Sequence, residues 1–140
     1  MTIPWRNQGR EIVALAVYAP NTQKENEEFW RSLEQVVLHW ESSKPDIMLG
    51  DFNLVEEAVD RLPRHEDHEG AVDALRNLKD KLNLHNGWRS SNSDSIQYSY
   101  LQTQTGSQSR IDRMYANKWL LENSKNWTLN PVVWLQQITE

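Results

Sequence analysis

The chain contains no cysteine, so its fold uses neither disulfide bonds nor thiolate metal ligands. It also lacks a long apolar run, because the longest, from Ile12 to Ala19, is far shorter than a membrane span. The first six residues have no apolar core of the kind found in a signal peptide. These absences predict a soluble intracellular protein, nuclear or cytoplasmic, with no membrane partner.

Charge is the next feature, because 20 acidic side chains outnumber 15 basic ones and the net charge is −5. This balance argues against a simple electrostatic coat for nucleic acid, whose affinity depends on many phosphate contacts. Residues 85–140 are nevertheless net +1, and their basic residues either line a phosphate-facing surface or form an ordinary solvated face. The five are Arg89, Arg110, Arg113, Lys118 and Lys125. With 140 residues, 38% of them hydrophobic, the length suits one core, so we assign one domain, 1–140.

Hydrophobic patterning predicts a strand, a helix and a second strand in the first third of the chain. The strand from Glu11 to Tyr18 ends at a proline, and Thr22 then opens a helix, with Glu25 completing a capping box. The helix carries one apolar stripe. Its members are Phe29, Leu33, Val36, Val37 and Trp40. A strand follows at 46–49, so the order implies a parallel crossover, whose ligands gather at the carboxyl ends of the strands.

The most informative segment is Gly50-Asp51-Phe52-Asn53, at the end of the second strand. On extended backbone the side chains of Asp51 and Asn53 share a face, which places a carboxylate beside a carboxamide. A carboxylate can orient or deprotonate a water, and an amide can donate to a phosphoryl oxygen. The alternative is a strand, a turn and solvated polar groups, since a four-residue match is weak evidence alone.

The rest of the chain continues the mixed pattern. It predicts a helix over 71–81, strands over 96–101 and 110–116 with a polar turn between them, and a short helix over 118–123. In the acidic segment 54–69, His65 and His68 are a candidate metal pair, although a solvated acidic loop is the favoured interpretation. The segment 127–140 is apolar but contains Pro131, so no element is assigned to it.

Four motifs stand in one order along the chain. They are Val17-Tyr18-Ala19-Pro20-Asn21, Gly50-Asp51-Phe52-Asn53, Tyr98-Ser99-Tyr100 and Ser109-Arg110-Ile111-Asp112-Arg113-Met114-Tyr115. Arg61-Leu62-Pro63 and Gly87-Trp88-Arg89 add to the pattern. The set resembles the endonuclease/exonuclease/phosphatase superfamily, and more narrowly the endonuclease domain of fungal non-LTR (LINE-type) retrotransposons, from about Trp5 to Trp127.

This resemblance implies a fold and a set of site residues. The fold is an α/β four-layer sandwich, here partial, with mixed sheets flanked by helices, and the activity is that of a divalent-metal-dependent phosphodiesterase acting on DNA. Tyr18 matches the tyrosine near the scissile phosphate, Asp51 the carboxylate that positions water, Asn53 the amide that contacts phosphate, and Asp112 the acid that orients a catalytic histidine. Asn21 and Arg110 match phosphate or structural neighbours.

Two elements of the family pattern have no counterpart here. They are the N-terminal asparagine and metal-binding glutamate, and the final Asp-His strand, so we expect an incomplete domain truncated at both ends. Mg²⁺ or Mn²⁺ is the implied cofactor, with Asp51 as a possible ligand in an incomplete site, and binding by this chain is in doubt. We therefore expect weak or absent activity from the chain alone.

A different class of function stays open. The chain could instead be a non-catalytic binding or interaction module derived from the same fold, stabilised by self-association into a homodimer. The apolar segment 127–140 could supply replacement packing. Among seven tryptophans most are expected in the core, so Tyr98 and Tyr100 are the better candidates for nucleic-acid contact.

Overall fold

The computed structural model describes residues 1–5, 9–41 and 43–124. The strands are β1 (Thr2–Trp5), β2 (Arg10–Tyr18), β3 (Ile47–Asp51), β4 (Arg61–Leu62), β5 (Leu84–His85), β6 (Tyr100–Gln102), β7 (Ser107–Ser109) and β8 (Asp112–Asn117). The helices are α1 (Gln23–Leu38), α2 (Glu69–Leu82), α3 (Gly87–Ser91) and α4 (Lys118–Asn123), with a short 3₁₀ helix at Ala58–Asp60. Lys125 and the segment 127–140 lie outside the described residues.

The main sheet has five strands in the order β1-β2-β3-β8-β5, and a smaller sheet has the order β4-β7-β6. β2 and β3 are parallel, whereas β1 and β8 pair antiparallel with β2 and β3 respectively. The mixed α/β class predicted from the sequence is confirmed. So is the parallel crossover through α1, and it brings the ends of β2 and β3 to one edge of the sheet.

Helix α1 differs from its predicted form in two details. Thr22 occupies the N-cap position, but its hydroxyl donates to the Glu25 carboxylate instead of capping a backbone N–H, so the capping box is not formed. The predicted apolar stripe is also displaced, because Val36 is exposed while Trp30 is fully buried. The inward line of the helix includes a polar residue, Asn26, which a search for apolar periodicity passes over.

The main core lies between one face of the large sheet and the helices α1 and α2. Both helices are amphipathic, and α2 buries six side chains on one side. Trp30 stacks on Phe52 at 5.3 Å between ring centroids, and Phe52 meets Tyr115 edge-on at 5.0 Å. This aromatic column joins α1, the end of β3 and β8, so the packing that holds the helices also fixes the loop after β3.

The C-terminal elements depart further from the sequence expectations. The strand predicted over 96–101 begins only at Tyr100, and the strand predicted from Arg110 begins at Asp112. Gly87-Trp88 opens the short helix α3, and α4 has the predicted bounds. Among the described residues, no helix has the length and apolar character needed to cross a membrane.

Candidate functional site

Three of the predicted site residues occupy one row across the main sheet. The strand register pairs Tyr18 of β2 with Asp51 of β3, and Asp51 with Asp112 of β8. Residues paired directly across neighbouring strands project from the same face of a sheet, with Cβ atoms about 5 Å apart. The row therefore places a phenol and two carboxylates side by side at the edge where β2 and β3 end.

Asn53 joins this row through the turn after β3. Its backbone N–H donates to Asp51 Oδ1 at 2.9 Å, and its side-chain Nδ2 donates to the Ala19 carbonyl at 2.7 Å. The residue adopts φ of +47°, a left-handed conformation that asparagine tolerates better than most residues. The turn thus ties the Asn53 amide to the ends of both β2 and β3.

Gly50 is required for β3 and β2 to lie this close. Its φ is +138°, which L side chains rarely adopt, and a Cβ atom built there would lie 2.0 Å from the Val17 carbonyl oxygen. That carbonyl is backbone and cannot move aside. The glycine in the Gly50-Asp51 motif therefore serves strand packing, one residue before the site carboxylate.

The electrostatics of Asp51 follow from its neighbours. Partial burial raises the pKa of the Asp51 carboxyl above its ordinary value of 3.8. The Asn53 N–H bond lowers that pKa, the nearby Asp112 carboxylate raises it, and the Arg113 guanidinium lowers it. The net effect is a raised pKa, so the side chain is a better proton acceptor than an ordinary exposed aspartate.

Tyr18 is 78% exposed, so its hydroxyl is accessible to a ligand. Asp112 is also exposed, and its backbone N–H donates to the Ser99 hydroxyl at 3.0 Å. Asp112 has two arginines near it in sequence, Arg110 and Arg113, with which a carboxylate could form a salt bridge. In the described structure both arginines pair with other carboxylates, Asp60 and Glu56.

A groove of about 300 Å³ has Asn53 in its wall, and this residue connects the groove to the row of Tyr18, Asp51 and Asp112. Its walls include three asparagines, two of which the sequence had marked. The groove residues are Asn21, Gln23, Asn26, Asn53, Leu54, Arg61, His65, Asp67, His68, Ala71, Tyr100, Ser109 and Ile111. The structure thus brings Asn21, Asn53 and Tyr100 to one cavity, whereas Tyr98 is half-buried and precedes β6.

The basic residues do not form the exposed surface that the charge distribution suggested. Arg89, Arg110 and Arg113 are buried, because each reaches a partner inside the fold. Lys118 is exposed and lies 3.7 Å from Glu122 one helical turn away. The interpretation of these residues as a phosphate-facing surface is wrong for the three arginines. For Arg110, the contacts favour the structural role over direct phosphate contact.

His65 and His68 do not share a helical turn. His68 is the N-cap residue of α2, and His65 lies in the preceding coil, where its Nδ1 is 3.0 Å from the Pro63 carbonyl. His68 Nε2 lies 3.2 Å from the Glu27 carboxylate of α1. Within the described ranges, no group of three or more histidine and acidic side chains could hold a metal ion. The described residues therefore do not make a metal centre by themselves.

Two supporting residues were not singled out from the sequence. One is Asp60, which pairs with the buried Arg110, and the other is Asn26. Asn26 Nδ2 donates to the Pro20 and Phe52 carbonyls at 2.8 and 2.9 Å, and its Oδ1 accepts from Trp30 Nε1 at 2.7 Å. One buried amide thereby links the chain after β2 with the chain after β3. The sequence signal was a polar residue at i−4 from a buried tryptophan, on the inward side of an amphipathic helix.

Comparisons with known proteins agree with this arrangement. No protein-family model matches the chain. It is 34% identical over 127 residues to an uncharacterized 149 kDa protein of transposon TX1 from Xenopus laevis. That match covers 89% of this chain but 10% of the relative, so the chain spans about a tenth of that protein.

Solved structures show the same architecture. A 3′-5′ exonuclease (NExo) from Neisseria meningitidis matches with a TM-score of 0.67 and 22% identity, over 85% of this chain and 53% of that one. An AP endonuclease from Archaeoglobus fulgidus matches with a TM-score of 0.61 and 19% identity, over 78% and 50%. The endonuclease domain of TRAS1, a telomere-specific non-LTR retrotransposon, matches with a TM-score of 0.59 and 19% identity, over 89% and 53%.

The chain spans about half the length of these solved structures. At these identities the likeness establishes the fold, while activity, substrate and partners are separate questions. The chain therefore has the endonuclease/exonuclease/phosphatase fold and resembles the endonuclease domain of non-LTR retrotransposons.

Proposed function

We propose that this chain supplies part of a nuclease site that hydrolyses phosphodiester bonds in DNA. The observation that carries the proposal is the row of Tyr18, Asp51 and Asp112 across three neighbouring strands, with Asn53 tied into it. The solved nucleases of the same fold support it. Those structures are an exonuclease and two endonucleases, which supports a nucleic-acid substrate, and DNA is our proposal within that class.

The roles of the residues follow from their chemistry. The Asp51 carboxylate, with its raised pKa, orients the attacking water and accepts a proton from it. The Asn53 amide has a second hydrogen besides the one donated to Ala19, and that hydrogen donates to a phosphate oxygen. Tyr18 donates its hydroxyl to the same phosphate, since it is exposed on the same face.

The groove beside the row is the proposed path of the bound strand. Amide side chains such as Asn21 suit sugar and phosphate oxygens, and the half-exposed ring of Tyr100 offers a surface on which a base can stack. These contacts position the nucleic acid next to Asp51. They do not depend on sequence, so we expect little base preference from this part of the site.

Efficient turnover by the chain alone is not expected. Mg²⁺ or Mn²⁺ prefers several oxygen ligands, and Asp51 and Asp112 supply two carboxylates at most. A missing catalytic group typically costs about 10²- to 10⁴-fold in rate. We therefore propose weak nicking, well below multiple turnover. Self-association into a homodimer stays a prediction, which light scattering on purified chain would test.

The test compares supercoiled plasmid nicking with Mg²⁺ or Mn²⁺ in three proteins. They are the wild-type chain, Asp51→Asn, and Asp80→Asn, whose exposed aspartate lies on helix α2. We expect slow nicking by the wild type and by Asp80→Asn, and none above the metal-free background with Asp51→Asn. Equal nicking by the wild type and Asp51→Asn would contradict the proposal, because cleavage would then come from elsewhere.

Binding gives a second measurement that does not need turnover. Titrating a 12-base-pair DNA duplex into ¹⁵N-labelled chain should shift amide signals of Tyr18, Asn53 and Asp112, together with signals from the groove. Mn²⁺ added to this complex should broaden the same signals. If the DNA-induced shifts instead fall on surfaces far from β2, β3 and β8, the row is not a nucleic-acid site.

A further inference from the structure

The site loop, residues 52–60, connects β3 to β4 and is held at both of its ends by buried arginines. The two arginines, Arg110 and Arg113, flank Asp112 in sequence and are 1% and 5% exposed. Both reach across to the site loop instead of to solvent. The motif that supplies Asp112 therefore also supplies the contacts that fix the loop carrying Asn53.

Arg110 holds the far end of the site loop. Its Nε and Nη2 donate to the two oxygens of the Asp60 carboxylate at 2.9 and 2.8 Å, which is the bidentate geometry of a strong ion pair. The Arg110 backbone N–H also donates to the Asp60 carbonyl at 2.9 Å. The 3₁₀ helix at the end of the loop is thus attached to Arg110, two residues before β8.

Arg113 holds the near end. Its Nη2 donates to the Leu54 carbonyl, one residue after Asn53, and its Nη1 lies 3.5 Å from the Glu56 carboxylate. The guanidinium also lies over the Phe52 ring, 5.0 Å from its centroid. Arg113 therefore contacts three residues of the loop on both sides of Asn53.

Buried ion pairs of this kind are costly to maintain. Arg113 Nε and Nη1 have no hydrogen-bond partner among the residues that the structure describes. Apolar residues of similar size commonly stabilise a core as well as a buried ion pair does. What an apolar side chain cannot do is hold a carbonyl and a carboxylate at fixed positions. The arrangement consequently favours geometry over stability.

We propose that Arg110 and Arg113 are positioning residues that clamp the site loop to β8 from both ends and thereby hold Asn53 in its left-handed conformation beside Asp51. Asn53 needs such support, because its positive φ is unfavourable for an isolated residue. The catalytic meaning of the clamp rests on the proposed nuclease function. The clamp itself is a property of the fold and can be measured without any substrate.

The test replaces each arginine with lysine, which keeps the charge but loses the fork of donors. Leu120→Ala is the control for general destabilisation, because Leu120 is buried with Ile12 and Ala116 outside the site loop, whereas Arg89 bonds Asp60 and so shares the far end of the loop with Arg110. The measurements are hydrogen exchange of the Asn53 backbone N–H and the position of its side-chain amide signals, recorded with the melting temperature.

We expect Arg113→Lys and Arg110→Lys to accelerate exchange at Asn53 by about 10-fold and to shift its side-chain amide signals. Leu120→Ala should lower the melting temperature, because it removes buried apolar contacts, while exchange at Asn53 stays within about twofold of the wild type. Unchanged exchange at Asn53 in both folded variants would overturn the proposal. So would an equal response to Leu120→Ala, since the effect would then be general destabilisation.

Glu56→Gln covers the case in which the arginine variants do not fold. It keeps the shape of the side chain but removes the charge facing Arg113, and we expect exchange at Asn53 to rise about threefold. No change there would overturn the clamp. The two proposals fail separately: loss of the Asn53 response refutes the clamp, whereas plasmid nicking that ignores Asp51→Asn refutes the nuclease.

Discussion

One face of β8 carries an exposed polar side chain, and the other face carries buried polar side chains. On one face Asp112 is exposed, beside Asp51, with Met114 further along the strand. On the other face Arg113 and Tyr115 are buried beneath the helices, and both reach Glu56. Alternate residues of this strand therefore have different roles. The buried side chains contact partners inside the protein, and the exposed side chains are accessible to a ligand.

This difference teaches how to interpret charge near a candidate site. A charged side chain that is buried and paired supports the structure, while a charged side chain that is exposed and crowded by like charge is the better functional candidate. Changes on the inward side should therefore affect stability most. Changes on the outward side should affect function while leaving stability almost unaltered.

The largest expected effect on the free energy of unfolding comes from the close backbone contact between Gly50 of β3 and Val17 of β2. Gly50→Ala would place a Cβ atom 2.0 Å from the Val17 carbonyl oxygen at a φ of +138°. We expect a loss of about 3 kcal/mol or more in the free energy of unfolding. Chemical denaturation of the wild type and Gly50→Ala measures this loss in the free energy of unfolding.

Gly106→Ala is the matched control for this change. Gly106 also has a positive φ, of +71°, but a Cβ atom there would meet no atom of the described residues within 4 Å. We expect that variant to cost only about 1 kcal/mol, from backbone strain alone. Equal losses in the two variants would mean that the Val17 contact is not what constrains Gly50.

A smaller inward effect is expected at Tyr115. Its hydroxyl donates to the Glu56 carboxylate, which Lys79 and Arg113 also approach. Tyr115→Phe leaves the ring packing intact but removes one hydrogen bond to a buried charge, so unfolding should become easier by about 1 to 2 kcal/mol. Urea denaturation checks this, with Tyr100→Phe as the exposed control. A loss under about 0.3 kcal/mol would show that Glu56 is satisfied without Tyr115.

The sequence predicted the parts of the site that local pattern determines. The strand from Glu11 to Tyr18, the crossover helix and the strand before Asp51 follow from apolar runs bounded by proline and glycine. Parallel topology then required the ends of β2 and β3 to meet. Asp112 came from the resemblance alone, because nothing local in an antiparallel strand shows which partner it will pair with.

The burial of the arginines and their ion-pair partners could not be predicted from local sequence pattern. Asp60 is 50 residues from Arg110 in sequence, and a charge count treats a buried arginine and an exposed one alike. The groove was missed for a related reason. His65 and His68 come from a segment with no regular period, and only the folded chain brings them to the same groove as Tyr100.

The smallest effect on stability, and the sharpest test of the outward side, is expected for Asp51→Asn. Burial and the neighbouring Asp112 raise the pKa of the Asp51 carboxyl in the folded chain, so its charged form is disfavoured on folding. A group with a raised folded pKa contributes its stability below its unfolded pKa, here near 3.8, and loses it as pH rises through the folded value. At pH 7 the wild type has lost that contribution. The neutral asparagine avoids the loss and can still accept the Asn53 N–H. Since the site is partly open to solvent, the gain in the free energy of unfolding should be at most about 0.5 kcal/mol.

Denaturation at pH 7 and pH 3 should show that Asp51→Asn has this small stability advantage at pH 7 only, and the variant should also lose nicking. If Asp51→Asn instead destabilises the chain at pH 7 by as much as Tyr115→Phe, then Asp51 belongs with the buried, paired groups and the division between the two sides fails.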